Sequence, residues 1–566
     1  MKTYKTVIVI LSAFFLFSCG TNKQKTPEAA DQVDEFRIVD IEEAPMQAEN
    51  NIVSEDISED KKALYFVPPT ISADEEILES KMQISIADAE YDQLKNEEYS
   101  QFAENKFQPA KIEPLSTFSV DVDAASYSNM RRFINRGSLP EKDAIRIEEL
   151  INYFSYNYPE PTGSDPVKIS AEVGNCPWNN QNRLVKIGLK ARNIAGDNLP
   201  ASNFVFLIDV SGSMEGPTRP GLVKSSLKLL VNNLREKDRV AIVVYAGAAG
   251  EVLSSTPGNN KQKIKEALDN LSAGGSTAGG DGIQLAYKIA RKNFIKGGNN
   301  RIILCTDGDF NVGVSSDDGL QKLIEQERKS GVFLSILGYG MGNYKDKKMQ
   351  VLAQTGNGNH AYIDNLQEAN KVLVNEFGAT MYTVAKDVKL QIEFNPAKVQ
   401  AYRLVGYETR LLNKEDFNDD TKDAGEMGAG HTVTAFYEVI PVGIKSNLIG
   451  SVDPLKYQKD TNIDPVSYSL HPDLLTVKLR YKQPNSDTSK KIEIPLIDNN
   501  LDNVSDDFRF AAAVAMFGQV VKDSQYKGNG SYDKAIALAQ KGYGSDIQGY
   551  RREFVRLMET AKGLAN

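Results

Sequence analysis

Five oxygen-bearing side chains carry the chemistry most legible in this 566-residue chain. Asp209, Ser211 and Ser213 stand in the spacing D-x-S-x-S, Thr277 closes the fragment Gly274-Gly275-Ser276-Thr277, and Asp307 precedes Gly308. Carboxylates and hydroxyls are hard donors, so the set suits Mg²⁺, Ca²⁺ or Mn²⁺ rather than Zn²⁺. Mg²⁺ is the best match to a compact, hydroxyl-rich cage, with Ca²⁺ or Mn²⁺ also accommodated. Five protein groups leave one position of an octahedral ion open, for water or for a partner's Asp or Glu. A single fragment reads equally well as the cap of the next helix. Three in order, each at a strand–loop junction, read as one divalent-cation site.

The elements that position these residues follow from hydrophobic periodicity. Asp209 closes the apolar run Asn203–Ile208, and Asp307 follows Arg301–Cys305. Each carboxylate is therefore expected at the carboxyl end of a parallel strand, where open α/β sheets place their ligand crevices. Apolar strands at about 203–209, 240–245, 301–306 and 332–338 alternate with amphipathic stretches at Leu222–Leu234, Ile264–Leu271, Ile283–Phe294 and Leu320–Arg328. A final helical stretch, Asn365–Phe377, closes the unit. The pattern predicts a doubly wound, mostly parallel α/β domain over 201–380.

The flanks have a different texture. Helical stretches at Ala124–Asn135 and Ile145–Phe154 precede strand-like segments at Pro166–Gly174 and Arg183–Ala191. After the α/β unit, Val388–Glu393, Lys398–Leu404, Thr432–Ile440 and Leu475–Tyr481 again read as strands. The simplest architecture inserts the α/β domain into a β-rich domain built from 101–200 and 381–500. A helical region follows over 501–566, at Asp507–Val521, Tyr532–Lys541 and Gly549–Lys562.

Lys2 and Lys5 precede the apolar run Val7–Phe17, and the segment ends in Leu16-Phe17-Ser18-Cys19. This reads as a secretory signal over 1–18, too short to span a bilayer. Its ending resembles a bacterial lipobox, which makes Cys19 the lipidated first residue of the mature chain. Residues 20–100 hold 21 Asp/Glu against 7 Lys/Arg, so 19–100 is expected to be an acidic, disordered tether. The net charge of the whole chain is −10, which leaves the remainder close to neutral. Nucleic acid, which calls for a concentrated basic face, is excluded as a partner. Beyond Cys19 only Cys176 and Cys305 remain; Cys305 lies in an apolar strand pattern and is expected as a buried free thiol.

The D-x-S-x-S, Thr277 and Asp307 pattern resembles the von Willebrand factor A (VWA) domain and its metal-ion-dependent adhesion site. The resemblance implies a Rossmann-like fold, a divalent cation held by Asp209, Ser211, Ser213, Thr277 and Asp307, and a protein ligand whose Asp or Glu completes the shell. It also implies a link between the closing helix and the metal site. The stretch Pro114–Pro161, with Ser126–Phe133 and Arg146–Phe154, is similar to a bacterial family of predicted lipoproteins. So are Phe394–Lys398, Tyr402–Glu408 and Ala424–His431. In that family a von Willebrand-associated N-terminal segment, an A domain and an uncharacterised C-terminal domain occur together. The lipobox ending implies a cell-envelope protein lipid-anchored to the outer or inner membrane, and residues 20–25, Gly-Thr-Asn-Lys-Gln-Lys, carry no acidic surface-export cluster, so a periplasmic face is expected.

Two other classes compete with this adhesion-type reading. A scaffold or assembly factor would enclose the ion as a purely structural part. A metal-assisted hydrolase would need a second ion or a general base beside Asp307, with Asp309 the nearest carboxylate. The chain contains no G-x-S-x-G, no G-x-x-x-x-G-K-[ST] and no H-E-x-x-H, so an enzyme is not expected. Weaker signals have plain readings. The run Asp416–Glu426 departs from the EF-hand pattern and reads as a solvated acidic loop rather than a second Ca²⁺ site. Asp121 and Asp123 read as helix caps. His360, His431 and His471 lack metal or triad spacing, and a structural hydrogen bond is expected for His431.

Overall fold

A computed structural model describes Tyr99 and residues 101–214, 219–246, 249–272, 279–308, 317–340, 346–422, 424–450, 471–498 and 501–565. The signal segment, Cys19, the tether apart from Tyr99, Thr277 and Asp309 lie outside the described residues.

The N-terminal flank gives β1 (Gln108–Pro109), β2 (Leu115–Ser119), α1 (Ala125–Asn135), α2 (Ile147–Asn152), β3 (Val167–Asn175) and β4 (Arg183–Ala191). The insert follows as β5 (Ser202–Asp209), α3 (Arg219–Asn232), β6 (Arg239–Tyr245), β7 (Ala249–Pro257), α4 (Lys261–Asp269), α5 (Gly279–Lys292) and β8 (Asn299–Thr306). It continues through α6 (Asp317–Arg328), β9 (Val332–Gly338), α7 (Asp346–Thr355) and β10 (His360–Tyr362). Its last stretch is α8 (Leu366–Asn370), a π-helical turn over Lys371–Asn375 and α9 (Phe377–Met381). The C-terminal flank supplies β11 (Thr383–Phe394), β12 (Val399–Val405), β13 (Leu411–Leu412), β14 (Gly425–Gly428), β15 (Thr432–Pro441), β16 (Asp473–Lys482) and β17 (Ser489–Ile497). Helices α10 (Asp506–Val521), α11 (Tyr532–Lys541) and α12 (Tyr550–Ala565) end it.

The insert is a six-stranded sheet in the order β10-β9-β8-β5-β6-β7. All its pairings are parallel except β6 with β7. Every residue of β5 and β8 is buried, as a central strand covered by helices on both faces requires. Phe204, Phe206 and Ile208 enter one apolar cluster while Val205 and Leu207 enter another, the period of two that a strand imposes. The expected Rossmann-like domain is therefore present, with an antiparallel edge strand that the apolar pattern did not announce.

Both flanks interleave in the same sheets, as the insertion reading requires. One antiparallel sheet runs β1-β12-β15-β4-β3, and the other runs β13-β2-β11-β16-β17 with β14 beside β11. Thus β4 of the N-terminal flank pairs with β15 of the C-terminal flank, and β2 pairs with β11. Their inward side chains, among them Phe118, Val185, Leu390, Tyr437 and Val477, share one core. A second core packs α1 and α2 against α10, α11 and α12, and takes in Leu184 and Phe436 from the outer face of the first sheet.

Entry to and exit from the insert meet in one knot. The hydroxyls of Ser202 and Tyr382 are 2.6 Å apart. Asp238 accepts from the Ser202 N–H at 2.8 Å, and Arg235 donates both to Asp238 and to the Tyr382 hydroxyl.

Two local expectations are corrected. Asp121 and Asp123 do not cap α1, whose N-cap position is Ala124 and carries no side-chain capping bond. Instead both carboxylates pair with Arg410, at 3.2 and 3.1 Å. Asp123 also accepts from the His360 N–H and from Gln350 Nε2, so it ties the insert to the flank. The second correction concerns the closing stretch. It is not one helix, because the π-helical turn interrupts it.

Candidate metal centre

Asp209 ends β5 and is 2% exposed, and Asp307 follows β8 with the same 2% exposure. These strands are parallel neighbours, so both carboxylates emerge at one sheet edge, as the sequence predicts. Ser211 N–H donates to Asp209 Oδ1 at 2.9 Å. That bond folds the D-x-S turn back on its own carboxylate and brings the hydroxyls of Ser211 and Ser213 within 3.0 Å of each other. Four of the five expected ligands are thus gathered around the ends of β5 and β8. Thr277 lies outside the described residues.

Two supports escaped the sequence reading. Asp209 Oδ2 accepts from the Tyr245 hydroxyl at 3.0 Å and from Thr306 Oγ1 at 3.3 Å. Tyr245 ends β6, the strand beside β5, and Thr306 ends β8. Aligning the ends of three neighbouring strands on the sheet edge would have shown both. Thr306 Oγ1 in turn accepts from the Gly308 N–H at 3.2 Å, which shapes the backbone just after Asp307. Tyr245 and Thr306 occupy both lone pairs of Oδ2, so it is Oδ1, which accepts from the Ser211 N–H, that faces a cation.

The electrostatics favour a cation here. Burial raises the Asp209 pKa; the Ser211 hydroxyl and N–H oppose that rise, and the charge of Asp307 adds to it. A positive ion between the two carboxylates would offset the burial and the charge repulsion that disfavour the ionised form of Asp209. Among the described residues no group of three or more His, Cys, Asp and Glu could hold a metal. The donor set at this edge fits the alternative of two carboxylates with hydroxyls, the hard-oxygen chemistry of Mg²⁺ or Ca²⁺.

The remaining polar candidates are spoken for elsewhere. In the acidic run, Asp416 closes a capping box with Asn413, and Asp420 pairs with Arg480 at 3.0 Å. Glu426 accepts from Thr383 Oγ1 at 2.7 Å. These three carboxylates serve three different partners rather than one centre. His431 is bonded through its backbone, to Gly428 O and from Ala191 N–H; burial holds its imidazole down to about 4. Cys176 and Cys305 are buried and free, and burial raises the Cys305 thiol to about 12. No helix among the described residues is long and apolar enough to cross a membrane.

A doubly wound sheet with D-x-S-x-S at its carboxyl edge defines the VWA class, and residues 203–376 match the von Willebrand factor type A domain family. Residues 93–186 match the family described as von Willebrand factor, and 379–564 match the one described as "Uncharacterized protein YfbK, C-terminal". The chain is 45% identical over 475 residues to the uncharacterized protein YfbK of Escherichia coli, covering 83% of this chain and 81% of that protein. It belongs to the YfbK family of bacterial VWA-containing proteins with an uncharacterised C-terminal domain. The uncharacterized protein sll0103 of Synechocystis sp. is 28% identical over 190 residues, 33% of this chain and 43% of that one. Among solved structures, the von Willebrand factor type A protein of Catenulispora acidiphila is similar at 16% identity and a TM-score of 0.38. The match covers 69% of this chain and 91% of that one.

Proposed function

We propose that the protein is a non-enzymatic, metal-dependent binding module of the bacterial cell envelope. A divalent cation, Mg²⁺ first, sits among Asp209, Ser211, Ser213, Thr277 and Asp307, and a partner's Asp or Glu occupies its open position. The observation that carries this reading is the convergence of Asp209, the two serine hydroxyls and Asp307 at the ends of two adjacent buried strands. The carboxylate–cation–carboxylate contact is Coulombic, stronger where water is excluded, and lost when the ion is removed. Lipid attached at Cys19 holds the module to the outer or inner membrane, and the acidic tether carries it into the periplasm. Labelled fatty acid should enter the wild-type chain and not Cys19→Ser.

The binding claim is tested by capture from envelope extract on the immobilised chain, wild type against Asp209→Ala, in Mg²⁺ or EDTA. Capture by wild type plus Mg²⁺ alone is the expected result, and chemical modification of the partner's carboxylates should abolish it. Equal capture in all four conditions would move binding to the β-rich flanks and leave the ion a structural part.

A further inference from the structure

Asp307 also faces a cation that the chain itself supplies. Arg219, the first residue of α3, sends its guanidinium back over the ligand loops. Its Nη1 lies 3.7 Å from Asp307 Oδ2 and donates to the carbonyl oxygen of Ser213. Gly340, just beyond β9, makes room for it: a Cβ there would stand 2.9 Å from Arg219 Nε, and the residue sits at φ +86°. The Tyr362 hydroxyl donates to the Gly340 carbonyl and secures that segment. The arginine therefore bridges the chain after β5, the chain after β8 and the chain after β9. Its side chain is 20% exposed, against 2% for Asp307, so the guanidinium lies at the mouth of the site and the carboxylate at its base.

We propose that Arg219 is a built-in counter-cation of the metal centre, which competes with the divalent ion for Asp307 and yields outward when the ion binds. This rests on the metal-binding reading above and adds a regulator of affinity to it. A guanidinium does not lose its proton in a protein. An ion sharing Asp307 with it therefore places like charges close together, in a site where water screens them poorly. The ion-free site gains in exchange: Arg219 balances the buried carboxylate and keeps the two ligand-bearing loops together. Metal affinity is then a difference between two cations rather than the full strength of the cage.

The test is calorimetric titration of the full chain in detergent with MgCl₂, using wild type, Arg219→Gln, Arg219→Lys and Asp209→Ala, with melting curves in EDTA and in Mg²⁺. Arg219→Gln should bind Mg²⁺ about tenfold more tightly than wild type. It should melt lower in EDTA and show a larger Mg²⁺-induced rise in Tm. Arg219→Lys, which keeps the charge, should stay near wild type. Equal or weaker Mg²⁺ binding by Arg219→Gln, with wild type binding in an Asp209-dependent way, would overturn this inference alone. An Arg219→Gln variant that fails to fold even in Mg²⁺ would also overturn it, because the ion should replace the lost charge. No Mg²⁺ binding by wild type, or binding that Asp209→Ala leaves intact, would remove the metal-binding reading as well.

Discussion

Glu148 is a buried carboxyl whose pKa is pushed up to about 7, by burial first and then by the charges of Glu408 and Glu149. The N–H of Tyr407 opposes that rise, and Glu408 is itself raised, chiefly by burial. The sign of the linkage is fixed by the direction of the shift. The folded chain holds the Glu148 proton more tightly than the unfolded chain, so the contribution to stability is complete below about pH 4.5 and is lost as pH rises through about 7. Each pH unit inside that window lowers stability by up to about 1.4 kcal/mol. Glu148→Gln should melt higher than wild type at pH 8 and lose the decline between pH 5 and 8; matching pH profiles would refute the assignment. None of this was legible in the sequence, where Glu148 is one of two adjacent acids at the start of a helix. The metal ligands were legible because their roles depend on local spacing and strand ends. The roles of Asp121 and Asp123 depend instead on Arg410, almost 300 residues away, and no local pattern announces such a partner.

At the level of elements, the closing stretch of the insert is docked on the helical layer by buried charge. Arg131, on α1, is wholly buried. It donates to Asp364 Oδ2 at 2.8 Å and to Glu368 Oε2 at 2.7 Å. The Tyr153 hydroxyl also donates to Glu368 at 2.8 Å, and Lys371, on the π-helical turn, lies 4.4 Å from the Tyr153 ring. Removing the cation alone leaves two carboxylates buried against each other, a change that costs about 3–5 kcal/mol. Arg131→Met should therefore destabilise the protein by about that amount in urea unfolding, and adding Asp364→Asn and Glu368→Gln should restore much of the loss. No recovery in the triple variant would show that geometry, rather than uncompensated charge, sets the cost. Hydrophobic periodicity found β5, β6, β8 and β9 because they are largely apolar, but not the three-residue parallel edge strand β10. It also missed β7, whose Ala249–Pro257 is largely polar and exposed along one edge. It also read through the π-helical turn, since one extra residue per turn leaves the composition unchanged.

At the scale of the whole molecule, neither flank owns a complete sheet. Residues 383–566 alone lack β1, β3 and β4 of one sheet and β2 of the other, and also α1 and α2 of the helical core. That fragment should fail to unfold cooperatively. A chain in which residues 203–381 are replaced by a short glycine linker should retain cooperative unfolding, because Ser202 and Tyr382 already touch. Thermal melts followed by circular dichroism separate the two. A cooperative transition in the isolated fragment would contradict the interleaved architecture. The insertion was readable from the return of the strand texture on both sides of the α/β domain. The union of the first two helices with the last three was not, since sequence order places them at opposite ends of the folded part.

The central claim is that one divalent cation sits between Asp209 and Asp307, and crystals of the protein grown with Mn²⁺ test it most directly. An anomalous difference map should show a peak at the carboxyl ends of β5 and β8, bounded by Ser211, Ser213 and the two aspartates, with Arg219 displaced from Asp307. No peak at that edge, with the guanidinium still over Asp307, would contradict both the metal centre and the binding function built on it.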